Sequence, residues 1–286
     1  MKKKSIKLLI AAVVATMAMG VLAGCGKKDE EKDGDTGAAD SGKAVTIAIS
    51  GSTSMGKLME KEGEAYKNAN TNVSIEVQQI GSSAGIKNVI SGVSEIGMAS
   101  RELKDEEKKE VSETTIAFDG IALAVNPKNG VENITLADIK KIYTGEITNW
   151  KELGGIDAPV VVVAREDGSG TRSAFEELVG FDAAELVPDA TISDGNGAVK
   201  TTVAGNPNAI GYISFEVLDD TVKALKVEEV EAKAENVLNK SYKLSRPFLL
   251  VYKEDALTGQ GKKFIDFILS EDGQKIVEET GGIKLK

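Results

Sequence analysis

The chain has 286 residues, 28% of them charged and 41% hydrophobic, with a formal net charge of −10. That is the composition of a globular protein with one large or two ordinary domains, too acidic to hold nucleic acid through its overall field. Histidine is absent and cysteine occurs once, which excludes Ser-His-Asp and Cys-His catalysis, a histidine-bound metal and an internal disulfide.

The N-terminus reads as an export signal. Lys2, Lys3, Lys4 and Lys7 form a basic start, and Leu8 to Leu22 is almost wholly apolar but short for a membrane span. Leu22-Ala23-Gly24-Cys25 closes it and resembles a bacterial lipobox, which implies cleavage before Cys25 and lipid on that residue. Removing residues 1–24, with four lysines and no acid, takes the net charge from −10 to −14. Residues 26–43 are charged, rich in small residues and free of aromatics, the composition of a flexible tether.

The first predicted strand is Val45-Thr46-Ile47-Ala48-Ile49, followed by Gly51-Ser52-Thr53-Ser54 and a helical pattern of Met55, Leu58, Met59 and Tyr66. Val73, Ile75 and Val77 alternate as a strand, and Gly81-Ser82-Ser83-Ala84-Gly85 precedes helical Ile86, Val89, Ile90 and Val93. Strand, Gly/Ser turn, helix twice in succession is βαβ grammar and implies a parallel sheet. Ile96-Gly97-Met98-Ala99 is a short strand delivering Ser100-Arg101, and the charged run Glu102–Glu110 is expected as a solvated helix. Ile121 to Val125 is a strand; Leu136, Ile139 and Ile142 mark a helix; Tyr143 and Trp150 are expected in a core.

Val160 to Ala164 is an apolar run that leads into Arg165-Glu166-Asp167-Gly168-Ser169-Gly170-Thr171-Arg172, before Phe175, Leu178 and Val179 at helical spacing. The free N–H groups and dipole of a first helical turn, with small hydroxyls and one guanidinium, make an anion site. Val199 and Val203 suggest a short helix, Ala209–Ile213 and Phe248–Tyr252 strands, and Phe264 to Val277 two closing helices. Each Gly/Ser turn lies at the carboxyl end of a strand, where open α/β sheets bind ligands.

Two enzyme readings fail on the residues. Gly51-Ser-Thr-Ser-Met-Gly56-Lys57 fits a nucleotide-binding loop, but Leu58 stands where magnesium needs a hydroxyl. Gly168-Ser169-Gly170 lacks the nucleophile elbow, because Asp167 precedes it, and there is no histidine base.

In order, Gly51-Ser-Thr-Ser, Gly81-Ser-Ser-Ala-Gly-Ile, Met98-Ala-Ser-Arg, Ile142 to Trp150, Arg165 to Thr171 and Ala209-Ile-Gly-Tyr212 resemble the phosphate-binding proteins of bacterial phosphate ABC importers. The resemblance spans roughly residues 44–286. It implies an α/β, two-lobed clamp of the periplasmic-binding-protein type II class, each lobe a mixed sheet flanked by helices. The expected lobes are residues 44–123 with 248–286, and residues 124–247. The implied activity is extracytoplasmic capture of phosphate for a membrane permease, without catalysis, cofactor or metal; another tetrahedral oxyanion, sulfate or molybdate, is the alternative. The implied ligand residues are Ser52, Thr53, Ser54, Ser82, Ser83, Ser100, Arg101, Arg165, Ser169, Gly170 and Thr171. The chain departs from the better-known enterobacterial pattern at Arg101, which stands where an aspartate accepts a hydrogen bond from protonated phosphate. Asp167 or Glu102 is the expected replacement, and a second arginine at position 101 is expected to favour the phosphate dianion.

Overall fold

The computed structural model describes residues 44–285. The expectations for the export signal, for Cys25 and for the tether lie outside the described residues.

Strand β1 (Val45–Gly51) pairs in parallel with both β2 (Val73–Gln79) and β3 (Ile96–Ala99). Parallel neighbours need a crossover, and helices α1 (Gly56–Ala69) and α2 (Ser82–Ile90) supply it. The second half repeats the device. β5 (Val161–Arg165) runs parallel to β6 (Thr191–Ser193) and to β7 (Ala209–Ser214), with α4 (Gly170–Val179) and α5 (Gly195–Gly205) as the crossovers after α3 (Leu136–Tyr143).

Two long antiparallel strands join the halves. In β4 (Ser112–Val125), residues Ser112–Gly120 pair with β8 (Ser245–Tyr252), whereas Ile121–Val125 pair with β7. The sequence reading found only the second half of β4. Its first half mixes Ser112, Glu113, Thr114 and Thr115 with apolar residues and carries no clean period. At the change of partner stands Gly120, where a Cβ would lie 2.2 Å from the Phe215 ring. Only glycine fits between the halves there. The strand order is β2-β1-β3-β8-β4-β7-β5-β6, with the two-residue strand Lys223–Ala224 added on β4. Helices α6 (Gly259–Leu269) and α7 (Glu271–Glu279) follow β8 and pack on the first half.

Each half has its own core, and this makes the fold two-lobed. The first contains Ile47, Ile49, Leu58, Met59, Met98, Phe248 and Phe264. The second contains Leu123, Ile139, Tyr143, Trp150, Phe175 and Tyr212. Phe175 stacks on Tyr212 with centroids 4.0 Å apart, and Tyr143 meets Phe175 edge-on at 4.8 Å. Each such side chain contributes about 1.5–3 kcal/mol by leaving water. Tyr143 and Trp150 therefore belong to the core, as expected from the sequence. The run Glu102–Glu110 is not a helix; it makes a single 3-10 turn, Glu107–Lys109, because Arg101 draws Glu107 inward.

Candidate functional site

Four strand ends converge. After β1, Ser52 caps the 3-10 turn Thr53–Met55, accepting from the Ser54 N–H at 3.2 Å. After β2, α2 begins at Ser82 itself. After β3 comes Ser100. After β5, Ser169 caps α4 by accepting from the Arg172 N–H at 3.2 Å. Gly170 opens that helix against the opposite lobe. A Cβ on it would lie 2.2 Å from Ser82 Oγ and 2.6 Å from Ser100 Oγ, so any side chain there holds the lobes apart.

The hydroxyls form one buried cluster. Ser54 Oγ lies 2.9 Å from Thr171 Oγ1 of the other lobe. Ser52 Oγ donates to Ser100 Oγ at 2.8 Å, and Ser82 Oγ accepts from the Ser100 N–H at 3.1 Å. Ser52, Ser54, Ser82, Ser100, Ser169 and Thr171 are all buried. At the rim the lobes also meet through their backbones, where the Ser83 N–H donates to Gly168 O at 3.1 Å.

Two guanidiniums frame the cluster, each matched to a carboxylate. Arg165, 1% exposed, donates from Nη1 to Thr171 Oγ1 at 3.3 Å and from Nη2 to Thr53 Oγ1 at 3.2 Å. Its Nε and Nη2 both reach Glu166 at 2.7 Å. Burial alone would raise the Glu166 carboxyl, but its hydrogen bonds with Arg165 hold it below the usual value. The second guanidinium is Arg246 of β8. Its Nη2 donates to Ser54 Oγ at 3.0 Å, and its Nη1 to Ser100 O at 3.0 Å and Ser100 Oγ at 3.3 Å. Asp119 of β4 holds it from Oδ2 at 2.8 Å and 3.0 Å. Complete burial pushes the Asp119 carboxyl up, and Arg246 opposes that shift. Asn196, in the first turn of α5, accepts from the Ser214 N–H through Oδ1, so its Nδ2 faces the cluster and donates to Ser54 Oγ at 2.9 Å.

Nine of the eleven residues named from sequence thus stand in or against the cluster: Ser52, Thr53, Ser54, Ser82, Ser100, Arg165, Ser169, Gly170 and Thr171. Ser83 and Arg101 stand at its edge, bonded to one another at 3.2 Å. The Arg101 guanidinium is held by Glu107 at 2.7 and 2.8 Å and by Glu102 O at 2.9 Å, a lobe-internal ion pair rather than a member of the hydroxyl cluster. The two expected acceptors also stand elsewhere. The Asp167 side chain is 97% exposed and paired with Arg172, and Glu102 is exposed.

Sequence reading missed Glu166, Asn196, Asp119 and Arg246. The signals exist: Asp119 lies in the apolar stretch of residues 116–125 and Arg246 beside the apolar run of residues 248–251, opposite charges next to buried strand residues, and Asp194-Gly195-Asn196-Gly197 is another Gly turn after a strand.

A buried set of hydroxyl, amide and guanidinium donors contributed by both lobes suits a small anion with several acceptor oxygens. Among the described residues, no group of three or more Asp, Glu or Cys is placed to hold a metal, and no helix is long and apolar enough to cross a membrane.

Residues 36–272 match the family model of the PBP superfamily domain. The phosphate-binding protein PstS of Bacillus subtilis is 36% identical over 290 residues, covering 99% of this chain and 95% of its own length. A Clostridium perfringens protein, assigned as the substrate-binding protein of a phosphate ABC transporter and solved with bound phosphate, is 64% identical. It superposes with a TM-score of 0.83 over 84% of this chain and 100% of that one. An ABC-type phosphate transport receptor from Vibrio cholerae is 40% identical, with a TM-score of 0.74 over the same 84% of this chain and 100% of its own.

Proposed function

From the premise that the chain belongs to the PBP superfamily, and within it to the substrate-binding proteins of phosphate ABC transporters, we propose that it captures inorganic phosphate between its lobes and delivers it to a membrane permease. The observation that carries this reading is the cluster in which buried Ser54 and Ser100, with half-buried Thr53, face Arg165, Gly170 and Thr171 of the other lobe. Charge-assisted hydrogen bonds contribute about 1.5–3 kcal/mol each, and micromolar affinity requires about −8 kcal/mol, so a handful of them suffices after the cost of closure.

The proposed ligand set is Ser52, Thr53, Ser54, Ser82, Ser100, Arg165, Ser169, Gly170 and Thr171. The proposed moving bodies are residues 44–120 with 245–286, and residues 121–244; the boundary expected at residue 123 falls inside Ile121–Val125, which pair with β7. β4 and β8 carry the chain between them. Lipid on Cys25 tethers the protein outside the cytoplasmic membrane, within reach of its permease; Cys25→Ser is expected to release it into the medium or leave the signal uncleaved. Titration calorimetry with phosphate, sulfate and molybdate tests the ligand. Phosphate is expected to bind tightest, and sulfate binding as tightly at neutral pH refutes the assignment.

A further inference from the structure

A hydroxyl has two lone pairs and one proton. When fixed N–H or O–H donors fill both lone pairs, the proton has only one use, which is to be donated. Three hydroxyls of the cluster are in that state. Ser54 Oγ accepts from Asn196 Nδ2 at 2.9 Å and from Arg246 Nη2 at 3.0 Å. Thr53 Oγ1 accepts from Arg165 Nη2 at 3.2 Å and from Asn196 Nδ2 at 3.4 Å. Ser100 Oγ accepts from Ser52 Oγ at 2.8 Å and from Arg246 Nη1 at 3.3 Å. Neither a guanidinium nor an amide NH2 can reverse such a bond. Thr171 and Ser82 each accept one fixed N–H, from Arg165 Nη1 and from the Ser100 backbone. Ser52 and Ser169 likewise accept one backbone N–H each, so these four keep a lone pair to offer, whereas Thr53, Ser54 and Ser100 keep none.

We propose that Arg246 is a second guanidinium of the anion site and that, with Asn196, it fixes Thr53, Ser54 and Ser100 as donors, so that the site takes the phosphate dianion in preference to the monoanion. This rests on the phosphate reading above. The monoanion brings two P–OH protons that need acceptors and one charge fewer for the two guanidiniums; the dianion brings one proton. The dianion preference expected of Arg101 therefore falls to Arg246, which enters from the strand joining the lobes.

The charged groups around Arg246 bear on the test. It faces Asp119 from β4, Arg165 from β5 with its partner Glu166, and Glu216 from the turn after β7, which in turn faces Lys57 of α1. Burial and Asp119 push Glu216 up to about 8, inside the working range. The parent for the experiment is therefore Glu216→Gln, and wild type serves as parent if that variant fails to fold. Inorganic phosphate is titrated calorimetrically into the parent and into the parent carrying Asn196→Ala or Arg246→Lys. Phosphate loses its second proton near neutrality, so the parent's association constant is expected to rise roughly tenfold from about pH 6 to about pH 8.

Asn196→Ala frees a lone pair on both Thr53 and Ser54. Arg246→Lys keeps a charge for Asp119 but loses the fork that spans Ser54 and Ser100. Both variants are expected to bind more weakly at the high end, with the rise flattened to about threefold or less. A purely structural role moves the curve down without changing its slope. A parent curve that is flat or falling, or variant curves parallel to it, overturns the proposal; if Arg246→Lys does not fold, Asn196→Ala decides. Absence of phosphate binding to the wild type at every pH refutes the phosphate reading itself.

Discussion

Glu62 gives the sharpest test of the energetics. Its side chain lies inside α1 at 0% exposure, and both carboxyl oxygens are buried without a hydrogen-bond partner. Burial pushes its pKa from 4.5 to about 9. At pH 7 the folded protein keeps this group neutral, whereas the unfolded chain ionises it. The ionisation-linked cost of the group is absent below its unfolded pKa. Above it, stability falls as pH rises, until the folded pKa is passed. At 1.36 kcal/mol per pH unit the cost at pH 7 is about 3 kcal/mol. Glu62→Gln keeps shape and neutrality in both states and removes the cost. Urea or thermal unfolding of both proteins near pH 4.5, 7 and 8.5, all without phosphate, measures the difference. The two are expected to be nearly equal at the lowest pH. At pH 7 the variant should be more stable by about 3 kcal/mol, or roughly 6–12 °C in Tm for a chain of this size. A difference independent of pH, or a wild type that is more stable at pH 8.5, refutes the reasoning.

Other perturbations separate the roles of individual residues. Arg165→Ala is expected to weaken phosphate binding by about 2–3 kcal/mol and Ser82→Ala by about 1 kcal/mol, since the first removes a charge-assisted donor and the second one hydroxyl; calorimetry reads both. Arg101→Ala breaks the pair with Glu107 and is expected to cost about 1–3 kcal/mol of stability in a urea titration, with phosphate affinity within about threefold of wild type. A large loss of affinity in that variant returns Arg101 to the site. Gly170→Ala places a Cβ against Ser82 and Ser100 and is expected to weaken binding at least about tenfold while leaving the Tm of the phosphate-free protein nearly unchanged.

Much of this was legible in the sequence because it depends on local grammar. Strand, Gly/Ser turn and helix repeat at Ser52–Ser54, Ser82 and Ser169–Thr171, and each turn falls at a strand's carboxyl end, where the fold collects them. The missing parts depend on long-range pairing. Asp119 and Arg246 are 127 residues apart, and their link needs the antiparallel register of β4 and β8, which no local period encodes. Arg101 is a different case, settled by a local contact. Its position after β3 suggests a ligand contact, but Glu107, only six residues on, folds back and takes the guanidinium. The first half of β4 was invisible because it is neither alternating nor continuously apolar.

The central claim is that phosphate sits among hydroxyls drawn from both lobes. Its most direct measurement is a calorimetric titration of phosphate into wild type and into Ser54→Ala/Thr171→Ala, which removes the hydroxyls that meet across the lobes at 2.9 Å. Wild type is expected to bind one phosphate with micromolar or tighter affinity, and the double variant at least about a hundredfold more weakly, near 3 kcal/mol. Equal affinity in the two proteins places the anion elsewhere and contradicts the account.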